Sequence, residues 1–138
     1  MRALGTYLFT GMIIILSSCS TETGVEPEEK KVNPVKSTYS SISTQIFDQR
    51  CSCHHSGQTP GLQSSTAYTN IIGVSNFANT MNYIEPGKPD SSYLFQKIIE
   101  SGNISGSRMP RDGATTGHLS QVELDSIRTW IENGALNN

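Results

Sequence analysis

Apolar side chains recur at three- and four-residue spacing in four short segments of the chain, the pattern of amphipathic helices that share one core. No segment alternates apolar and polar residues for long enough to predict a strand. The pattern therefore predicts an all-α fold of short helices, the first over residues 41–50. The second is expected to run from a cap at Ser65 to an end at Gly73. The third should run from a cap at Asp90 or Ser91 to an end at Gly102, and the fourth from a cap at Ser120 to an end at Gly134.

The last of these helices has the clearest signals. Its start is marked by a capping box, Ser120-Gln121-Val122-Glu123, in which a serine and a glutamate three residues apart satisfy the first free N–H groups. Apolar residues then follow at helical spacing as far as Trp130 and Ile131. We expect these two side chains to pack against the first helix.

Composition limits the chain to one small domain with a thin core. The chain has 138 residues, of which 35% are hydrophobic and 7% aromatic. A net charge of −2 argues against a nucleic-acid partner, which requires a basic face. Two long connections, residues 56–64 and 103–119, are rich in Gly, Ser, Thr and Pro. Loops of that length in a small domain are either disordered or wrapped around a bound group, and a bound group would supply the core that this composition lacks.

The N-terminus has the features of an export signal. Arg2 precedes an apolar run of ten residues, which is too short to span a bilayer. The run ends in Leu16-Ser17-Ser18-Cys19, which resembles the cleavage site of bacterial lipoproteins and implies lipidation of Cys19. An ordinary secretory signal is the alternative. We therefore expect a signal peptide over 1–18, a lipid-anchored flexible tether over 19–38, and a folded domain over 39–138.

Two thiols and two imidazoles lie within five residues, in the cluster Cys51-Ser52-Cys53-His54-His55. A disulfide between the cysteines would be strained, because a bridge needs Cα atoms about 4.4–6.8 Å apart with facing Cβ vectors. A zinc site needs about four ligands, and His118 is the only histidine outside the cluster. Covalent attachment of a haem is the third interpretation.

The cluster resembles the Cys-x-x-Cys-His haem-attachment motif, and the resemblance extends over residues 40–136. The chain is similar to small mono-haem c-type cytochrome domains, which implies an all-α, cytochrome c-like fold of short helices and long loops around one haem c and its iron. The matching stretches are Ile46-Phe47-Asp48-Gln49-Arg50, Ile84-Glu85-Pro86-Gly87-Lys88-Pro89, Arg108-Met109-Pro110 and Trp130-Ile131-Glu132-Asn133-Gly134-Ala135.

The motif is one residue shorter than the family pattern. On a regular helix, residues two apart point about 200° from each other, so Cys51 and Cys53 cannot both reach one haem. Local unwinding would allow two thioether bonds. Otherwise one bond forms through Cys53, with Arg50 in the place of the first cysteine and His54 as the axial ligand. A second register uses Cys51 for the bond and His55 for the iron. We favour His54, because it keeps the Cys-His adjacency.

The resemblance places the second axial ligand at Met109, between Arg108 and Pro110. A thioether ligand favours ferrous iron and raises the reduction potential relative to two imidazoles. Met81 and His118 are the rival ligands, and a core-filling role for Met109 is the structural alternative.

The resemblance implies electron transfer rather than enzymatic catalysis. The chain would be an envelope lipoprotein, anchored through Cys19 to a bacterial membrane, with the outer membrane favoured and the domain facing the periplasm or the exterior. Its partners would be redox proteins that bind transiently, and no nucleic acid. The alternatives are a haem-free lipoprotein that uses the Cys-Ser-Cys-His-His cluster for metal binding or thiol redox chemistry, and a cytochrome-like domain that serves only as a binding module.

Overall fold

The computed structural model of the protein describes residues 34–78, 80–101, 104–111 and 117–138. The predicted signal peptide, Cys19 and the tether up to residue 33 lie outside these ranges. The fold is helical, as the hydrophobic pattern predicts, and no helix in the described ranges is long and apolar enough to cross a membrane. The helices are α1 (Tyr39–Ile42), a π-helical turn (Ser43–Phe47), α2 (Asp48–Arg50), α3 (Ala67–Ile71), α4 (Tyr93–Ile99) and α5 (Gln121–Glu132), with 3₁₀ turns at Ser52–His54 and Pro89–Ser91.

The first three helical elements follow one another without a break and form what we call the N-terminal helix. It begins two residues before the predicted start, because the Thr38 hydroxyl accepts a hydrogen bond from the Ser41 N–H. Ile42 and Ile46 are fully buried along it. The Thr44 hydroxyl donates to the carbonyl of Ser40 at 2.8 Å. Hydrogen bonds of this kind compete with the main-chain hydrogen bonds of the helix for the same carbonyl. This one lies where the helix widens into the π-helical turn.

The C-terminal helix α5 has the predicted ends. Ser120 and Glu123 form the reciprocal capping box, with the Ser120 N–H donating to the Glu123 carboxylate at 2.7 Å. At the other end Gly134 has φ +90°, and the N–H of Ala135 donates to the carbonyl of Trp130 at 2.9 Å. This is a Schellman-type ending, in which a glycine takes the left-handed conformation and the freed carbonyls are satisfied.

The middle helices do not begin where the cap residues predict. Helix α3 begins after Thr66 rather than Ser65, and α4 begins after Ser92 rather than after Asp90 or Ser91. Ser92 is fully buried, and its hydroxyl accepts the Glu85 N–H at 2.9 Å, which ties α4 to the preceding loop. The predicted end of α3 is confirmed, since Gly73 has φ +66°.

The end of α4 also differs from the prediction. Helix α4 stops at Ile99, where Glu100 takes a left-handed conformation with φ 62°, so the helix has ended before the expected stop at Gly102. Gly102 itself lies outside the described residues.

The N-terminal helix and α5 pack against each other, as predicted from Trp130 and Ile131, both of which are buried. The rings of Tyr39 and Trp130 lie 5.9 Å apart, and the Trp130 Nε1–H donates to the carbonyl of Leu136 at 2.8 Å. The chain end is bound to the same contact, because the Ser40 N–H donates to the carbonyl of Asn138 at 2.9 Å. Burial of one indole and several isoleucines supplies much of the favourable free energy of folding.

The packed structure also includes residues that precede the N-terminal helix. Val35 packs against the core, and its carbonyl accepts a hydrogen bond from the Ser126 hydroxyl at 3.0 Å. Within the described ranges there is no strand; two isolated bridges, Ile72 with Ile84 and Ser75 with Asn82, join the segment after α3 to the segment before α4.

We predict that Ser120→Ala lowers the free energy of unfolding by about 1 kcal/mol, because it removes the side-chain half of the capping box. The measurement is urea unfolding followed by far-ultraviolet circular dichroism. Ser65→Ala is the matched control, since Ser65 is exposed and lies outside the cap of α3. Equal losses for the two variants would contradict the prediction.

Candidate functional site

The cysteine–histidine cluster follows the N-terminal helix directly, and the chain leaves regular helix at its first residue. Cys51 has φ −118° and ψ 29°, and a 3₁₀ turn covers Ser52–His54. The 200° separation expected for two cysteines on a regular helix therefore does not apply. The structure contains the local unwinding that the prediction of two thioether bonds requires.

Arg50 fixes this end of the helix against the start of α5. Its guanidinium lies 2.9 Å from the Glu123 carboxylate and also donates to the carbonyl of His118 at 2.9 Å. Both members of the ion pair are largely buried, with 15% of each side chain exposed. Charge-assisted hydrogen bonds of this kind are short and directional. In the predicted register that uses His54 as the ligand, Arg50 stands where the first cysteine of the motif would be. Its ion pair joins the N-terminal helix to the start of α5.

The two thiols have different surroundings. Cys51 is half-buried against the core, whereas Cys53 is exposed, and neither forms a disulfide. Burial raises the pKa of the Cys51 thiol to about 12, although the neighbouring Arg50 charge opposes the shift. Cys51 is therefore a neutral thiol at physiological pH, which disfavours it as a nucleophile or metal thiolate in the haem-free protein.

His54 is oriented by a single main-chain contact. Its Nδ1 lies 2.9 Å from the carbonyl oxygen of Pro60. A carbonyl can only accept, so Nδ1 carries the proton and the lone pair of the neutral ring is on Nε2. The His54 carbonyl in turn accepts the Leu62 N–H at 2.9 Å, which holds the loop against the cluster. An imidazole with one nitrogen fixed in this way is the usual form of a metal ligand.

His55 is held through its other ring nitrogen. Its Nε2 lies 3.2 Å from the Phe47 carbonyl and 3.8 Å from the Asp48 carboxylate, so this nitrogen faces the N-terminal helix. The Nε2 of His55 therefore donates to the helix, and the lone pair of the neutral His55 ring is on Nδ1. The two histidines thus present different ring nitrogens, Nε2 at His54 and Nδ1 at His55.

Met109 lies on a loop that is hydrogen-bonded to α4. Its N–H donates to the carbonyl of Lys97 at 3.0 Å, and the adjacent Arg108 Nε donates to the carbonyl of Ile98 at 2.7 Å. Met109 is half-buried, and it packs against the same core as Cys51. Pro110, which follows it, is buried. These contacts fix the backbone that carries the thioether.

The rival ligands differ from Met109 in their surroundings. Met81 is half-buried against the core beside the Ser75–Asn82 bridge. His118 is exposed ahead of α5, and its carbonyl accepts a hydrogen bond from Arg50. Neither lies on the loop with the Met-Pro pair.

Two aromatic residues that the sequence does not single out line a groove beside the cluster. The groove has a volume of about 420 Å³ and runs from Pro60 and Gly61 to Phe77 and Tyr83. We call it the Pro60 groove. Phe77 is 66% exposed, which is unusual for a phenylalanine and is visible only in the structure. Three other aromatic residues are less exposed: Tyr93 and Phe95 are buried, and Tyr68 is half-buried.

No group of three or more His, Cys, Asp or Glu side chains in the described segments is arranged to hold a metal. The candidate residues offer an imidazole with one nitrogen bonded at His54, a half-buried thioether at Met109 and an exposed thiol at Cys53. Comparisons of the chain with protein-family models, curated proteins and solved structures found no match.

We predict that the haem-free protein reacts with iodoacetamide at Cys53 at least about tenfold faster than at Cys51 near pH 8, because the thiolate is the reacting form and burial suppresses it at Cys51. The rates are measured by mass spectrometry of the peptide that contains both cysteines. In denaturant the two rates should converge, which serves as the control. Equal rates in the folded protein would show that Cys51 is not protected.

Proposed function

We propose that this protein is a lipid-anchored, mono-haem c-type cytochrome domain that carries electrons in the cell envelope. The observation that carries the proposal is the hydrogen bond from His54 Nδ1 to the Pro60 carbonyl, which leaves the lone pair of Nε2 to bind a metal. The resemblance of the sequence to cytochrome c domains, from residue 40 to residue 136, supports the same conclusion.

His54 and Met109 would be the axial ligands of the haem iron. When bound, the haem supplies one-electron chemistry by alternating between its ferrous and ferric states. The Pro60 carbonyl fixes the His54 ring and increases the basicity of Nε2. The Lys97 carbonyl holds the Met109 backbone, and the soft thioether stabilises the reduced state.

Cys53 would provide the covalent attachment, since it adjoins His54 and its thiol is exposed. Cys51 is the second possible attachment point, because the chain is already out of regular helix there. If Cys51 is not used, its half-buried thiol acts as a small core side chain. The Arg50–Glu123 ion pair then supplies the rigidity that a first thioether would otherwise give.

The proposal assigns no bond-making reaction to the protein, so it would not be an enzyme in its own right. Cys19 would anchor it to a bacterial membrane, with the outer membrane favoured, and the tether would let the domain reach its partners. The partners would be other redox proteins, which bind through small, transient interfaces.

We predict that His54→Ala lowers the covalently bound haem by at least about tenfold, because it removes an axial ligand. The full chain is produced in a bacterial host that has haem-attachment machinery, and haem is measured by its Soret band and by haem staining of a denaturing gel. His55→Ala is the matched control and should retain the haem. Loss of haem in His55→Ala alone would establish the alternative register, and a colourless parent protein that retains zinc would refute the proposed function.

We predict that Met109→Ala removes the sulfur-to-iron charge-transfer band of the oxidised protein and lowers its reduction potential, since water or a nitrogen donor replaces the thioether. Absorption spectroscopy and potentiometric titration provide the measurements. Met81→Ala is the matched control, because Met81 is equally a half-buried methionine packed on the core. A band that survives in Met109→Ala and disappears in Met81→Ala would transfer the ligand role to Met81.

A further inference from the structure

Phe77 is the most exposed large apolar side chain in the described ranges, and a closed loop presents it to solvent. It is 66% exposed. The loop comprises residues 74–78 and 80–82, and we call it the Phe77 loop. At its base the Tyr83 N–H donates to the Val74 carbonyl at 2.8 Å. This main-chain bond closes the loop and leaves Phe77 near its tip.

A buried asparagine fixes the backbone of the Phe77 loop. Asn76 is only 2% exposed, and its N–H donates to the Met81 carbonyl at 2.9 Å. Its side-chain carbonyl accepts the N–H groups of Ala78 and Thr80, both at 3.1 Å. An asparagine that bonds to the backbone on both sides of a turn holds that turn in one conformation. The residue that follows it, Phe77, therefore has a fixed position.

Tyr93 supports the Phe77 ring from the protein side. The two rings lie 6.0 Å apart at an angle of 81°, which is an edge-to-face contact. Tyr93 is itself buried, and its hydroxyl accepts the Ser105 N–H at 3.2 Å. The exposure of Phe77 is thus a feature of an ordered loop. Little conformational entropy is lost when a side chain held in this way enters another surface.

The surface around Phe77 is uncharged. The described residues that line the Pro60 groove include no acidic or basic side chain, although the chain has 10 Lys and Arg and 12 Asp and Glu residues. Val74 is a second exposed apolar residue of the groove, and the hydroxyl side chains of Thr69 and Ser75 are exposed beside it. An apolar ring bordered by uncharged hydroxyl groups suits the boundary between lipid headgroups and acyl chains.

A lipid bilayer is the surface that the proposed anchor keeps within reach of the Phe77 loop. The described fold begins at residue 34, and the Val35 carbonyl bonds to Ser126. The segment from residue 19 to residue 34 spans at most about 50 Å when fully extended. A folded part of about 100 residues is typically about 35 Å across. Any face of the domain can therefore meet the bilayer, which the anchor holds at a high effective concentration.

We propose that the Phe77 ring inserts into the interface of the bilayer to which Cys19 anchors the protein, so that the domain docks on the lipid through the Pro60 groove. The inference rests on the lipid anchor of the proposed function, and it adds a second point of contact. The Pro60 carbonyl lines this groove and also bonds to His54. Docking therefore holds the cysteine–histidine cluster close to the membrane surface.

The first test identifies what covers Phe77 in living cells. The full chain is produced in a bacterial host with Phe77 replaced by the photoreactive residue p-benzoylphenylalanine, and the cross-linked products are identified by mass spectrometry after irradiation. We expect a cross-link to phospholipid. The matched control carries the same probe at Val122, which is 61% exposed on α5 and outside the groove, and its lipid cross-link should be at least about tenfold weaker. A cross-link from position 77 to a protein instead of lipid would overturn the proposal.

The second test measures the contribution of the Phe77 ring itself. The probe is placed at Thr69, which is exposed and lines the groove. Phe77→Ala should lower the lipid cross-link at this position by about tenfold, because it removes most of the apolar surface that leaves water. Val122→Ala removes an equally exposed apolar side chain and should leave the cross-link unchanged. Equal effects of the two substitutions would overturn the role of Phe77.

The salt dependence distinguishes apolar insertion from attraction between charges. The purified, lipidated full chain with the probe at Thr69 is reconstituted into phosphatidylcholine vesicles. Its lipid cross-link should not change as salt is added, because screening acts on charged groups and none lines the described part of the groove. The nearby Glu85 and Lys88 have opposite charges 3.9 Å apart. A cross-link that disappears at high salt would contradict insertion of the ring.

The outcomes separate this inference from the proposed function. Mass spectrometry of the N-terminal peptide reports lipidation at Cys19, and a parent protein that lacks it would refute both the anchor and the docking. A lipidated protein whose probes at positions 77 and 122 cross-link lipid equally, or not at all, would overturn the docking and leave the anchor in place.

Discussion

The N-terminal helix is held against α5 at both of its ends, and the position of the cysteine–histidine cluster depends on this contact. At one end the rings of Tyr39 and Trp130 pack together, and the chain terminus bonds to the helix through Asn138. At the other end Arg50 forms its ion pair with Glu123. Because Cys51 follows Arg50 directly, the ion pair fixes the position of the backbone at the start of the cluster, although the core is small.

Two neighbouring histidines present different ring nitrogens because of the main-chain carbonyls that they meet. The Pro60 carbonyl accepts a hydrogen bond from Nδ1 of His54, whereas the Phe47 carbonyl accepts one from Nε2 of His55. The residue types and their spacing are the same for both, so the distinction arises only from the fold. The hydrogen bond that one ring nitrogen makes determines which nitrogen is available to a metal and how basic that nitrogen is.

The elements could be predicted from the sequence more accurately than their boundaries. The four helical segments and the capping box at Ser120 are correct because periodicity and local hydrogen bonds act within one turn. The caps at Ser65 and at Asp90 or Ser91 are wrong, because several adjacent polar residues could each begin a helix. At α4 the buried Ser92 is the first residue outside the helix, and its hydroxyl bonds to the Glu85 N–H. Glu100 ends α4 in a left-handed conformation that residue propensities disfavour.

Of the candidate site, the sequence by itself determined the chemistry that is available: two thiols and two imidazoles in one short segment, and a methionine before a proline. Only the tertiary structure decided that Cys51 is half-buried while Cys53 is exposed, that His54 rather than His55 keeps its Nε2 free, and that Tyr83 lines a groove beside them. The physical reason is that burial and hydrogen-bond partners come from residues distant in the chain, which no local pattern encodes.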